Sequence, residues 1–176
     1  AIFDDCPNSW TGSRNWNLSG GTSYSTGSPK FDCSSTANYK YIWDYNLKQA
    51  IGNIPDAKRY KIDGRMVIFF WSVKPAWMSN TQGNLSKILQ YIKNQCQATY
   101  GFVPYLIIDK DWLDNDSTLS TTTVDGVHGW FSSQASVSYT LETWNGKKFG
   151  ALCPGIRTSS ESDYIDPSMG TLDNSL

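Results

Sequence analysis

The chain has 176 residues and a formal net charge of -1 at pH 7. That balance excludes a nucleic-acid footprint, because phosphate binding needs a basic surface. No stretch reaches the roughly eighteen apolar residues that would span a bilayer. The length suits one domain with a real core. No basic segment followed by an apolar run heads the chain, so a signal peptide is expected to be already removed.

Residues 1–5, AIFDD, start apolar and turn acidic, as a strand ending in carboxylates does. Residues 6–38 are Ser, Gly, Thr and Asn with scattered aromatics, which predicts a long surface loop. Over 39–53, Ile42, Tyr45, Leu47 and Ile51 fall near helical spacing, and Ile54-Pro55 ends the helix. Met66 to Trp71 is apolar throughout, the pattern of a parallel strand covered on both faces. Asn84 is placed to cap the next helix, with Leu85, Ile88, Leu89, Ile92 and Cys96 on one face and Gly101 at its close. Phe102 to Ile108 predicts a second buried strand, running into Asp109 and Asp111. Val124 to Phe131 predicts a short strand with His128 and Trp130 near its exit. Residues 136–145 are read as a short helix, and Phe149 to Cys153 as a last strand. The tail from Thr158, rich in Ser and Asp, has no periodicity. Strands alternating with helices predict an α/β fold with about five parallel strands and flanking helices. Five is short of the eight that close a barrel.

Eight Trp and ten Tyr stand out against modest charge. Many will be core, but sugar rings also stack their C–H faces on indoles while their hydroxyls bond carboxylates. The cysteines Cys6, Cys33, Cys96 and Cys153 have no CxxC spacing, so neither a metal nor a redox motif is expected. An even count in this composition suggests secretion and two disulfides. Three pairings are open, with Cys6–Cys33 and Cys96–Cys153 preferred over buried free thiols. Asn17-Leu18-Ser19, Asn84-Leu85-Ser86 and Asn115-Asp116-Ser117 are N-glycosylation sequons.

In parallel α/β folds ligands bind at the carboxyl ends of the strands. That rule selects Asp4 and Asp5; Trp71 and Ser72, then Trp77; Asp109, Asp111 and Trp112; and His128 and Trp130. Asp5 and Asp109 are the best pair for the two carboxyl groups that glycoside hydrolysis needs. Asp4 and Asp5 cannot point the same way, because neighbours on a strand alternate. Asp111, Trp71, Trp77, Trp112, His128 and Trp130 are the candidate substrate contacts. A single histidine does not make a metal site, and no cofactor motif is present.

Taken together, IFDD, YIWDYNLKQAIGNIP, the MVIFFWS strand, PYLIID-DW, VDGVHGWF and KFGALCPGIR resemble, in that order, secreted bacterial glycanase-like barrel domains. That group is similar to glycoside hydrolase families 71 and 99, whose members act on α-linked glucans and mannans. The resemblance spans residues 1–157 and implies a partial TIM-like (β/α) barrel, with 158–176 as a tail. In those families a further strand with a Trp-His-Glu-type segment follows the PG-containing strand, and 158–176 holds none. A central portion or a reduced form of the barrel is therefore expected. The implied function is a secreted glycoside hydrolase, or a fragment of one, acting on polysaccharide or oligosaccharide. The alternatives are a non-catalytic glycan-binding protein and a structural or assembly module that self-associates through open sheet edges.

Overall fold

A computed structural model describes residues 1–22, 24–129 and 139–152. The chain divides into two units, Ala1–Asp125 and Gly126–Leu176. Trp130 and Cys153 lie outside the described residues.

The first unit opens with β1 (Ile2–Asp4), a wide π-type turn over Pro7–Gly12, α1 (Ser13–Leu18) and β2 (Phe31–Asp32). Next come α2 (Thr36–Tyr41), a second wide turn over Ile42–Leu47, and α3 (Lys48–Gly52). β3 (Lys61–Ile62), β4 (Arg65–Phe70), β5 (Met78–Ser79), α4 (Leu85–Tyr100), β6 (Tyr105–Asp109) and α5 (Asp111–Asn115) follow. β4 lies between β1 and β6, parallel to both, with Asp4 opposite Phe70 and Phe70 opposite Ile108. β3 pairs antiparallel with the start of β4, and β2 pairs with β5 in a small sheet of its own. The fold is thus mixed α/β, with a parallel sheet and flanking helices, and no barrel is closed among the described residues.

The core explains which predicted elements formed. Ile68, Phe70, Leu106 and Ile108 are fully buried, as runs apolar on both faces require. On α4 the predicted stripe from Leu85 to Cys96 is buried, and Gly101 closes the helix at φ 77. Asn84 does not cap it: its side-chain amide donates to the Asn80 and Gln82 carbonyls. The cap comes from far along the chain, where the Asp116 carboxylate accepts the Ser86 amide at 3.0 Å. In the helical stretch before Pro55, Trp43 is buried and Tyr45 is exposed. The wide turn brings residues five apart onto one side, so Ile42 aligns with Leu47 and Tyr45 is turned out.

Residues 6–38 are not the surface loop that their composition suggests. Trp10 is fully buried against Phe31, Phe70 and Trp112, with ring centroids 5.6, 6.0 and 5.6 Å away. Arg14 and Asn15 are also buried. Arg14 donates to the Pro29 and Lys30 carbonyls, and Asn15 to those of Ser25 and Ser28. Polar side chains here satisfy the backbone of a folded-back segment, so polarity does not mean exposure.

The second unit holds β7 (Gly126–His128), β8 (Tyr139–Trp144) and β9 (Lys147–Leu152). Residues 139–144 are a strand, not the expected helix, and β9 is antiparallel to β8 rather than part of a parallel sheet. Asn145 and Gly146 explain both corrections. Their φ values of 48 and 72 make the two-residue hairpin turn that Asn-Gly favours. Nothing lies within 4 Å of where a Gly146 side chain would project, so only the backbone angle resists substitution. Gly146→Ala is expected to weaken the hairpin by about 1 kcal/mol and to speed amide exchange over 139–152 roughly fivefold. Unchanged exchange would count against the turn. Gly126 is held by a different constraint: a Cβ there would sit 2.4 Å from the Phe149 ring.

Candidate functional site

The sheet's register places the sequence-predicted carboxylates. Asp4, Phe70 and Ile108 form one lateral row. Asp5 and Trp71 are the residues that directly follow β1 and β4, and Asp109 is the last residue of β6, so all three stand at strand exits.

Asp4 is buried. Its carboxylate accepts the Ser9 hydroxyl and the Trp10 indole N–H, and its carbonyl accepts the Trp71 amide at 2.9 Å. Burial pushes its carboxyl from 3.8 up to about 6; the Ser9 and Trp10 bonds oppose this, and the Asp5 charge adds to it. Asp111 ties the exit of β4 to α5. It accepts the Ser72 hydroxyl at 2.6 Å and the Val73 amide at 3.2 Å, while its own amide donates to Asp109. Burial raises the Asp111 carboxyl as well, against the Ser72 and Val73 bonds and with help from the Asp109 charge. Asp111 is therefore a loop tether, and Asp109 is a buried carboxylate with one oxygen on the start of α5.

Asp5 differs from both. Its Oδ2 accepts the Asn8 amide at 2.7 Å, and Asn8 in turn accepts the Tyr24 hydroxyl at 2.6 Å. Its Oδ1 is buried with no hydrogen-bond partner, an arrangement that costs free energy unless a donor arrives. Asp5 also lines a cavity of about 430 Å³ with Phe3, Asn8, Ser9, Tyr24 and Asn46 among its neighbours. The site thus offers a carboxylate oriented by a two-step relay, amides, hydroxyls and an apolar wall. That set suits a ligand carrying hydroxyls on an apolar ring.

Four residues of this cavity, Asn8, Ser9, Tyr24 and Asn46, were not singled out by sequence reasoning. The usable signal was position: Asn8 and Ser9 lie three and four residues after Asp5, in the turn that follows β1. Of the predicted aromatic contacts, Trp71 is half-buried at the rim. Trp112 is fully buried, its ring edge-on to Trp10, and Trp77 is buried too, so neither offers a face to a sugar. His128 is buried within the second unit. Among the described residues, no group of three or more His, Cys, Asp or Glu side chains could hold a metal ion. No described helix is long and apolar enough to cross a membrane.

The preferred Cys6–Cys33 disulfide is not formed; Cys6, Cys33 and Cys96 are buried free thiols. Each of the first two is committed locally, the Cys6 thiol to the Asp4 carbonyl and the Cys33 thiol to the Phe31 carbonyl. Burial, with Asp4, Asp111 and Asp5 nearby, pushes the Cys6 thiol well above its ordinary value. Burial raises Cys33 and Cys96 to about 12. All three stay protonated and unreactive at neutral pH.

A family described as a domain of unknown function, DUF5010, matches residues 1–175. The chain belongs to DUF5010. No curated protein and no solved structure matches it.

In this DUF5010 chain the Asp4 titration has a measurable consequence. Its folded value, about 6, exceeds the unfolded 3.8, so the folded state binds the proton more tightly. The stability this proton gives is fully present below the unfolded value and is lost as pH rises through the folded one. Between about pH 4.5 and 7.5 that loss is about 2 kcal/mol. Asp4→Asn cannot titrate. The stability difference between wild type and variant, read from urea midpoints, should therefore shift by that amount across the window. A constant difference would mean that Asp4 does not titrate there.

Proposed function

We propose that this chain is a secreted carbohydrate-active domain on a partial (β/α) barrel, hydrolysing polysaccharide with Asp5 and Asp109. The observation that carries the reading is that β1 and β6 flank β4 in parallel, with Asp5 directly after β1 and Asp109 at the end of β6. Two strand spacings separate the carboxylate-bearing backbones by about 9.6 Å, within reach of a glycosidic bond between the side chains. One carboxyl serves as acid and the other activates water or attacks. The resemblance to glycoside hydrolase families 71 and 99 supplies the substrate class, α-linked glucans and mannans. The test is reducing-end release from a panel of these polysaccharides, with wild type, Asp5→Asn and Asp109→Asn side by side. Cleavage by wild type that both variants lose supports the reading. Absence of cleavage of every glycan, or cleavage that both variants retain, overturns it.

A second reading, glycan binding without cleavage, is favoured by the Asp5 cavity itself. It is lined by the Asp5 side chain, the Asn8 and Asn46 amides and the Tyr24 ring, while the other lining carboxylate, Asp4, is taken up by Ser9 and Trp10. Saturable change of Trp fluorescence with a glycan that is not cut selects this reading over the first.

A further inference from the structure

Trp77 and Trp112, selected from the sequence as sugar contacts, are buried, whereas exposed tyrosine rings stand beside Asp5. Tyr24 lines the same cavity of about 430 Å³ as Asp5 and is 56% exposed. Two contacts hold its ring. The hydroxyl donates to Asn8 at 2.6 Å. The phenol end rests on Gly12, where a Cβ would lie 2.7 Å from the ring. The exposed part of the ring is therefore turned away from Gly12.

A second aromatic group adjoins the first. Ser13 lines the cavity, and its hydroxyl shares a 3.0 Å hydrogen bond with the Tyr41 hydroxyl. Tyr41 also accepts the Asn17 amide at 2.7 Å. Its ring stacks on Tyr45, with centroids 4.8 Å apart and planes 21° from parallel. Tyr45 is 60% exposed, and the next residue, Asn46, lines the cavity and donates to the Ser9 carbonyl at 2.7 Å. The stacked pair is thus tied to the cavity from two segments, at Ser13 and at Asn46. Rings held in this way lose little freedom when a ligand covers them. The Asp5 carboxylate, the Asn8, Asn17 and Asn46 side chains and the Ser13 hydroxyl stand between and around the rings. Ring faces interleaved with polar groups suit a chain of sugar rings, each with an apolar C–H face and a rim of hydroxyls.

We propose that Tyr24 and the Tyr41–Tyr45 pair form two successive sugar-binding subsites, the first in the Asp5 cavity and the second beyond Ser13, which together hold an α-linked oligosaccharide. The inference rests on the carbohydrate reading proposed above, but not on any glycan being cut. It moves the stacking contacts from the strand-exit tryptophans to tyrosines of the folded-back segment and of the helical stretch before Pro55.

The test is calorimetric titration of the full chain with maltohexaose and with an α-linked mannohexaose, in the Asp109→Asn background where wild type cuts the probe. Tyr24→Ala and Tyr45→Ala are each expected to weaken binding by about tenfold, the worth of one stacked ring. The two losses should multiply in the double variant, because the rings contact different sugars. Tyr24→Phe and Tyr45→Phe keep the ring faces and should bind within about twofold of the parent. Tyr60→Ala is the control: Tyr60 is 59% exposed but precedes β3, beside the start of β4, and its loss should leave binding unchanged. Urea midpoints show that each variant is folded. Unchanged affinity in either alanine variant, or a phenylalanine variant as weak as its alanine counterpart, overturns the two subsites while binding by the parent leaves the carbohydrate reading standing. A parent chain with affinity for neither probe overturns both.

Discussion

Trp10→Ala is expected to lower the unfolding free energy by about 4 kcal/mol, within the range for emptying a buried indole site. The ring is fully buried and touches Phe31, Phe70 and Trp112, so it joins β2, β4 and α5 through one side chain. These neighbours come from separate elements of a fixed sheet and cannot all close on the cavity left behind. The substitution also removes the indole N–H from Asp4, leaving a buried carboxylate with one donor fewer. Trp10→Phe separates the two effects. It keeps much of the packing but loses the donor, so the Asp4 carboxyl rises further. Its destabilisation should therefore be larger at about pH 7.5 than at about pH 4.5. Urea unfolding of both variants at the two pH values is the check. A Phe variant with equal losses at both would detach Trp10 from the Asp4 titration.

How much of this fold was legible follows from where its determinants lie along the chain. β4, β6 and α4 were readable because apolar runs and a helical stripe are local signals that burial rewards directly. The segment 6–38 was not, because its order comes from distant partners. Arg14 and Asn15 reach carbonyls ten to sixteen residues away, and Trp10 meets rings from three other elements. The cap of α4 failed to read for the same reason, since Asp116 lies thirty residues from the amide it accepts. The error at 139–152 was of another kind. Asn145-Gly146 is a strong hairpin signal, and the helical assignment overlooked it.

For the site, the rule that ligands gather at strand exits selected Asp4, Asp5, Asp109 and Asp111, and the parallel order of β1, β4 and β6 puts the ends of these strands side by side. What the sequence hides is the division of labour among them. Only hydrogen bonding separates Asp4, held by Ser9 and Trp10, and Asp111, held by Ser72 and Val73, from Asp5 with its unmatched oxygen. The aromatic contacts misled because an indole near a strand exit serves the core as readily as a sugar. Trp112 and Trp77 took the first role.

Under the proposed reaction, Asp5→Asn and Asp109→Asn each reduce kcat by about 10³-fold, the usual worth of a positioned acid or base. Both substitutions are mild on the fold. Asn at position 5 keeps an oxygen for the Asn8 amide, and Asn at position 109 keeps one for the Asp111 amide. KM should therefore change little, and so should the urea midpoint. Because the two groups act in one step, the double variant is expected to be no slower than about the slower single variant. That non-additivity separates a catalytic pair from two independent binding carboxylates, whose losses would multiply and would fall on KM. Tyr24→Phe extends the test outward. It removes only the hydroxyl that steadies Asn8, so it should reduce kcat by about tenfold through a less well held Asp5 and leave an Asp5→Asn background unaffected.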